Sequence, residues 1–174
     1  MSEVVPFNGL PIAPQSIFEV GSPEYRKDIR KKIVAVELSM KSLDGVMFEI
    51  ETKHDFGGGI YAREVFIPKN MFLVAKIHNT EHLSIISSGD VSVLSEFGAE
   101  RYVVVNNRPI TFLSKRWTKR IVFAHEDTIW TVLHKTDKTT PDDVELEVIA
   151  KDYSELDLLE STPKIVGVIE SIGE

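Results

Sequence analysis

Lys76-Ile77-His78-Asn79-Thr80-Glu81-His82, followed after six residues by Gly89, is the stretch on which the reading of this 174-residue chain turns. Its two histidines stand four apart in β-type sequence, an offset that places both side chains on one face of a regular strand. The glycine falls in Ser88-Gly89-Asp90, a turn signature. The chain has no cysteine. Disulfides, thiolate zinc sites, iron–sulfur clusters and cysteine nucleophiles are therefore excluded together. Any transition-metal site must be built from the five histidines, His54, His78, His82, His125 and His134, with carboxylates.

On both sides of this stretch, short β-type runs alternate with turn residues. They cover 46–52, 60–67 (closed by Pro68), 71–78, 83–86, 91–95, 102–105, 109–113, 120–124 and 128–134. Strands at this spacing predict a mainly β sandwich or barrel, not a βαβ fold. The triplet Gly57-Gly58-Gly59 lacks the Lys-Ser/Thr that follows a phosphate-cradling loop. It predicts a strand corner or a flap.

Outside the β region the texture changes. Residues 1–22 contain Pro6, Pro11 and Pro14 and read as an extended arm. Ser22-Pro23-Glu24 supplies an N-cap, a first-position proline and a first-turn acid. Ile29, Ile33, Val36, Met40 and Leu43 then form a one-sided apolar stripe, predicting an amphipathic helix over 23–44 that packs on a sheet or on a partner. Thr140-Pro141-Asp142-Asp143 predicts a second helix over 141–149. Leu156, Leu158 and Leu159 offer a further apolar anchor, and 163–172 reads as an added edge strand that must pair with something. The division expected is an arm (1–22), a helix (23–44), a barrel (45–136) and an acidic C-terminal extension (137–174).

The formal charge of −7 argues against non-specific nucleic-acid binding. It is unevenly placed. Residues 136–174 hold eleven acids and three bases, more than the whole excess. Residues 101–125 carry Arg101, Arg108, Lys115, Arg116, Lys119 and Arg120 with no acid. This stretch is either a solvated basic face docked on the acidic tail, or a basic rim around an anionic-ligand pocket. The N-terminus lacks a basic region followed by an apolar run, and no stretch approaches the ~18 apolar residues of a membrane span. A protein working in the cytoplasm, without a membrane partner, is the expectation.

The 76–89 stretch resembles the first motif of the cupin superfamily, which has two histidines, a glutamate, six residues and a turn glycine. Gly89 matches the glycine, His82 falls at the glutamate position, His78 at the second histidine and Lys76 at the first. In the second motif, 115–120 occupies the turn, Arg120 sits at the histidine position and His125 lies one beyond the asparagine position. Residues 46–150 also resemble small cupin-like proteins of tailed bacteriophages. The runs concerned are 52–56, 61–64, 76–78, 86–90, 118–120 and 124–131. The resemblance implies a cupin-type jelly-roll β-barrel with an N-terminal amphipathic helix and short C-terminal helical and strand additions. It also implies a phage source, hence the host cytoplasm or the phage particle. Because two usual ligand types are replaced, it leaves two readings open. One is a non-standard site for a divalent transition metal (Fe, Mn, Ni or Zn) on His78, His82 and His125. The other is a barrel that has lost its metal.

Each candidate residue has a bland reading beside the functional one. His54, beside the glycine triplet, closes over a pocket or is structural. His134, at a strand end, is a structural hydrogen-bonder or a ligand contact. Trp130 is core or a ligand platform. Arg63 and Arg120 make strand-surface pairs or reach into the barrel mouth to bind an anion. Three functions follow. The first is a barrel binding a small, anionic ligand through His54, Arg63, Arg120, Trp130 and His134. The second is a metal-dependent dioxygenase or isomerase, with Glu64, Glu81 or Glu126 completing the ligand set; in a metal-free isomerase His78 or His82 is the general base. The third is an assembly role, with the N-terminal helix and terminal arms joining copies into a homo-oligomer or docking them on a virion.

Overall fold

The computed structural model describes residues 16–42 and 50–161. Ser22 caps α1 (Pro23–Lys41), its side chain accepting from the Tyr25 backbone N–H. The β region follows as β1 (Thr52–Gly57), β2 (Ile60–Ile67), β3 (Phe72–Val74), β4 (Ile77–His78), β5 (His82–Ser88), β6 (Asp90–Ser95), β7 (Gly98–Val103), β8 (Ile110–Ser114), β9 (Ile121–Ala124) and β10 (Thr128–Lys135). The chain continues through α2 (Pro141–Val148), β11 (Ile149–Ala150) and α3 (Ser154–Ser161). The strand expected at 46–52 lies mostly outside the described residues, as do Leu43, the arm before residue 16 and the segment 163–172.

The strand order identifies the architecture. One sheet runs β1-β2-β10-β5-β8 and the facing one β3-β9-β6-β7, all antiparallel. The pairs β2·β10, β3·β9, β5·β8 and β6·β7 are nested like one long hairpin. Rolling that hairpin up brings β10 against β5 and β9 against β6. This is a jelly roll of eight strands, with β1 added at one edge.

Alternation along the strands fills the space between the sheets. Ile67, Ile86, Val91, Val93, Tyr102, Val122, Ala124 and Trp130 form the core there. The opposite face of the four-stranded sheet is covered by α1, whose Tyr25, Ile29 and Ile33 pack on Leu94 and Ile121. The apolar stripe of the helix is thus met by the protein's own sheet. Two ion pairs flank the contact, Arg30 with the fully buried Glu96 (3.4 Å) and Glu37 with the buried Lys119 (3.0 Å). The second holds the 117–120 segment, which leads into β9.

Two turns explain the glycines that matter. Gly58 and Gly59 have φ of +58° and +76°, and Gly57 pairs with Ile60. The triplet is therefore the tight two-residue turn of the β1–β2 hairpin, whose twist demands positive φ at both central positions. At Gly89 φ is +105°, and a Cβ there would stand 2.2 Å from Thr128 Oγ1. Only glycine lets β5 turn into β6 against the start of β10.

The acidic extension closes one end of the barrel. Val144 and Val148 of α2 pack on Tyr61. β11 pairs with β4, placing Ile149 opposite His78. Ala150 and Leu156 pack with Ile77 and Trp117.

Candidate functional site

The run 71–78 is not one strand. After β3 the chain breaks at residues 75–76 and resumes as the two-residue β4. His78 is gripped on both sides, by Ile149 of β11 and by a bridge to Thr118. The Trp117 backbone N–H also donates to the His78 carbonyl at 2.6 Å. Residues 79–81 bend the chain, and His82 opens β5. The two histidines therefore converge across a bend between two strands, not through alternation along one.

The third imidazole is His134. On β10, Leu133 pairs with Leu83, so the next residue lies across from His82. Interior-facing positions of β10 are even-numbered, and His134 shares that parity with the core residue Trp130. The ligand atoms of His78, His82 and His134 all lie within 4.8 Å of one another, and all three residues are buried. His78 Nδ1 is 3.2 Å from His134 Nε2. Ring centroids are 4.4 Å (His78–His82), 4.5 Å (His82–His134) and 5.1 Å (His78–His134) apart.

Thr80 orients two of the rings. His82 Nδ1 lies 3.2 Å from the Thr80 carbonyl. A carbonyl only accepts, so Nδ1 carries the proton and Nε2 the lone pair. Thr80 Oγ1 lies 3.4 Å from His134 Nδ1, leaving His134 Nε2 turned toward His78.

Burial suppresses protonation of all three. It pushes His78 down to about 2, with His82 and His134 adding to the effect. His82 falls to about 4 through burial and then His134, and His134 to about 4 through burial and then Arg63. At neutral pH these are three neutral imidazoles, the form that ligates a metal.

A cavity of about 220 Å³ opens beside them, with His78 and His82, but not His134, in its lining. Arg63 reaches it from β2 and Arg120 from the residue before β9. Trp130, Val65, Ile67 and Val122 form apolar wall. The Trp130 indole N–H is buried without an acceptor.

The structure does not bring His125 to the cluster of His78, His82 and His134. His125 follows Ile121 and Phe123 in parity, which puts it on the opposite face of β9 from Val122 and Ala124. There its Nε2 meets Ser92 Oγ at 2.7 Å and its ring packs edge-on against Phe123. His54 is also outside the cavity. β1 is the outermost strand of its sheet, so its residues stay exposed, and His54 Nδ1 instead meets Tyr61 Oη at 2.6 Å. Among the described residues no carboxylate joins the histidine cluster. Glu64 pairs with Lys53 and Glu126 with Lys69, both outside the cavity, and Glu81 is exposed. Lys76, at the first-histidine position of the motif, pairs with Glu145 of α2.

The cluster fits a metal. Tetrahedral coordination at about 2.0–2.1 Å separates ligand nitrogens by about 3.3 Å. The His78–His134 separation of 3.2 Å already meets this. The remaining ligand atoms lie within 4.8 Å of one another, so no pair has more than about 1.5 Å to close.

No protein-family model and no curated protein matches the sequence. Solved structures that resemble the chain include cupin domain proteins. One is a cupin domain from Bordetella pertussis Tohama I, at 8% identity and TM-score 0.39, covering 49% of this chain and 91% of that one. Another is KdgF from Halomonas sp., at 13% identity and TM-score 0.42, covering 54% and 83%. A third is a salicylate 1,2-dioxygenase from Pseudaminobacter salicylatoxidans, at 8% identity and TM-score 0.43, covering 64% and 33%. The jelly roll itself is read from this chain's own strand order. No helix among the described residues is long and apolar enough to cross a membrane.

Proposed function

We propose that this is a cupin-type barrel that binds one divalent transition metal through His78, His82 and His134 and presents it to a small molecule in the adjoining cavity. One observation carries the reading: three buried, neutral imidazoles from three strands, their ligand atoms within 4.8 Å of one another, beside a cavity of about 220 Å³ that His78 and His82 line. A bound metal would supply Lewis acidity and lower the pKa of a coordinated water. The protein's own residues do the rest. Thr80 orients the rings of His82 and His134, the β4–β11 pairing holds His78, and the largely apolar wall offers a surface for the rest of a ligand. We favour ligand binding over turnover, because no Asp or Glu lines the cavity among the described residues. The tailed-phage source belongs to this proposal and rests on the sequence runs quoted above.

Elemental mass spectrometry of the full chain, purified without a histidine tag and reloaded with zinc or cobalt, tests it. One metal per chain is expected, lost in His134→Ala and kept in His125→Ala. Protein that takes up neither metal, or a His134→Ala variant that retains one, would overturn the proposal.

A further inference from the structure

Two cations on the cavity wall, Arg63 and Arg120, close no contact ion pair among the described residues. Arg63 belongs to the five-stranded sheet, and Arg120 leads into β9 of the facing sheet. The third cation on the wall, Lys76, is neutralised by Glu145. Burial lowers the Arg120 pKa, and Glu96 and Glu100 oppose that shift without forming an ion-pair contact. Such a charge is costly to bury unless something pairs with it. The same lining includes the apolar Val65, Leu73, Val122, Trp130 and Val132.

Facing sheets stand about 10 Å apart. The two guanidiniums thus enter the cavity from opposite walls, beside the histidine cluster. A cation on each of the two facing walls, in a lining that is otherwise largely apolar, defines the complement. It has two anionic ends and an apolar middle. A guanidinium pairs best with a planar carboxylate, through two parallel hydrogen bonds.

We propose that the ligand of this cavity is a short organic dicarboxylate, one end held by Arg63 and the other by Arg120. This deepens the metal-site reading above and rests on it for the place of the ligand. The arginine pair itself needs no metal.

Calorimetric titration of the full chain, metal-free and cobalt-loaded, with glutarate, adipate, hexanoate and inorganic phosphate tests it. Glutarate or adipate is expected to bind at least about 10-fold tighter than hexanoate, the gain from one additional charge-assisted pair. R63Q and R120Q are each expected to bring dicarboxylate affinity down to the hexanoate level, with R63K and R120K intermediate. The inference is overturned if hexanoate binds as tightly as both dicarboxylates, if phosphate binds more tightly than either, or if both glutamine variants bind dicarboxylates as wild type does. The wild-type ligand comparison decides the matter even where a variant fails to fold. Cobalt uptake without dicarboxylate binding would overturn this inference and leave the metal reading standing. Dicarboxylate binding by protein that takes up no cobalt would do the reverse.

Discussion

Metal-free protein should be acid-labile because of its histidine cluster, and the size of the effect follows from burial. An imidazole in the unfolded chain titrates near 6.5. In the fold, His78 is held down to about 2, and His82 and His134 to about 4. Below pH 6.5 the unfolded state therefore binds protons that the folded state refuses. The sign is fixed: stability contributed by the neutral cluster is complete above 6.5 and is lost as pH falls, down toward the folded values. At pH 5 each site contributes roughly 2 kcal/mol of loss, and the three together roughly 6 kcal/mol. That is comparable to the whole stability of a typical domain, about 5–15 kcal/mol. Urea unfolding in the presence of a chelator, followed by the fluorescence of Trp117 and Trp130, measures it across pH 7.5 to 4.5. A flat plateau above pH 7 and a steep fall below 6.5 are expected. His134→Gln should remove about 2 kcal/mol of that fall, since one titrating group is gone. A loss below about 1 kcal/mol between pH 7.5 and 5, or an unchanged fall in His134→Gln, would refute the reasoning.

Other consequences are equally direct. Zinc or cobalt at 100 times Kd should stabilise the fold by about 2.7 kcal/mol, raising Tm by about 5–11 °C in a scanning fluorimetry trace; His134→Ala should abolish the shift and His125→Ala should keep it. Thr80→Val removes the hydroxyl near His134 Nδ1 while keeping the carbonyl that receives His82 Nδ1–H. Competition titration should show metal affinity lowered about 10–100-fold in that variant. Gly89→Ala would force a Cβ to 2.6 Å from Thr128 Cα at φ +105°. Chemical denaturation should register a loss of about 3 kcal/mol or more.

The β-rich texture was legible because each interior strand announces itself by alternation and ends at a turn residue. β2 matches its sequence-predicted bounds, and Ser22-Pro23-Glu24 marks the start of α1. The 71–78 run was misread as one strand because its composition is β-like throughout. The break at residues 75–76 comes from the pairing of Ile77 and His78 with β11, seventy residues later in the chain. β1 carries few apolar residues, since as an edge strand it buries little, so it gave only its glycine turn as a signal.

In the candidate site, spacing pointed to His78 and His82, and the basic stretch pointed to Arg120. Motif position points to His125, whereas parity along β10 points to His134. His125 alternates with Ile121 and Phe123 onto the outward face of β9, while His134 alternates with Trp130 and Val132 inward. Parity counted from Trp130 would have indicated His134. Its contact with His78 depends on register between strands far apart in sequence, which no local pattern encodes.

The central claim is that His78, His82 and His134 together form a metal centre. X-ray absorption at the metal edge of zinc-loaded full-length protein tests it most directly. The account predicts three imidazole nitrogens at about 2.0–2.1 Å from the metal. A shell made of oxygens alone, or one with fewer than two imidazoles, would contradict it.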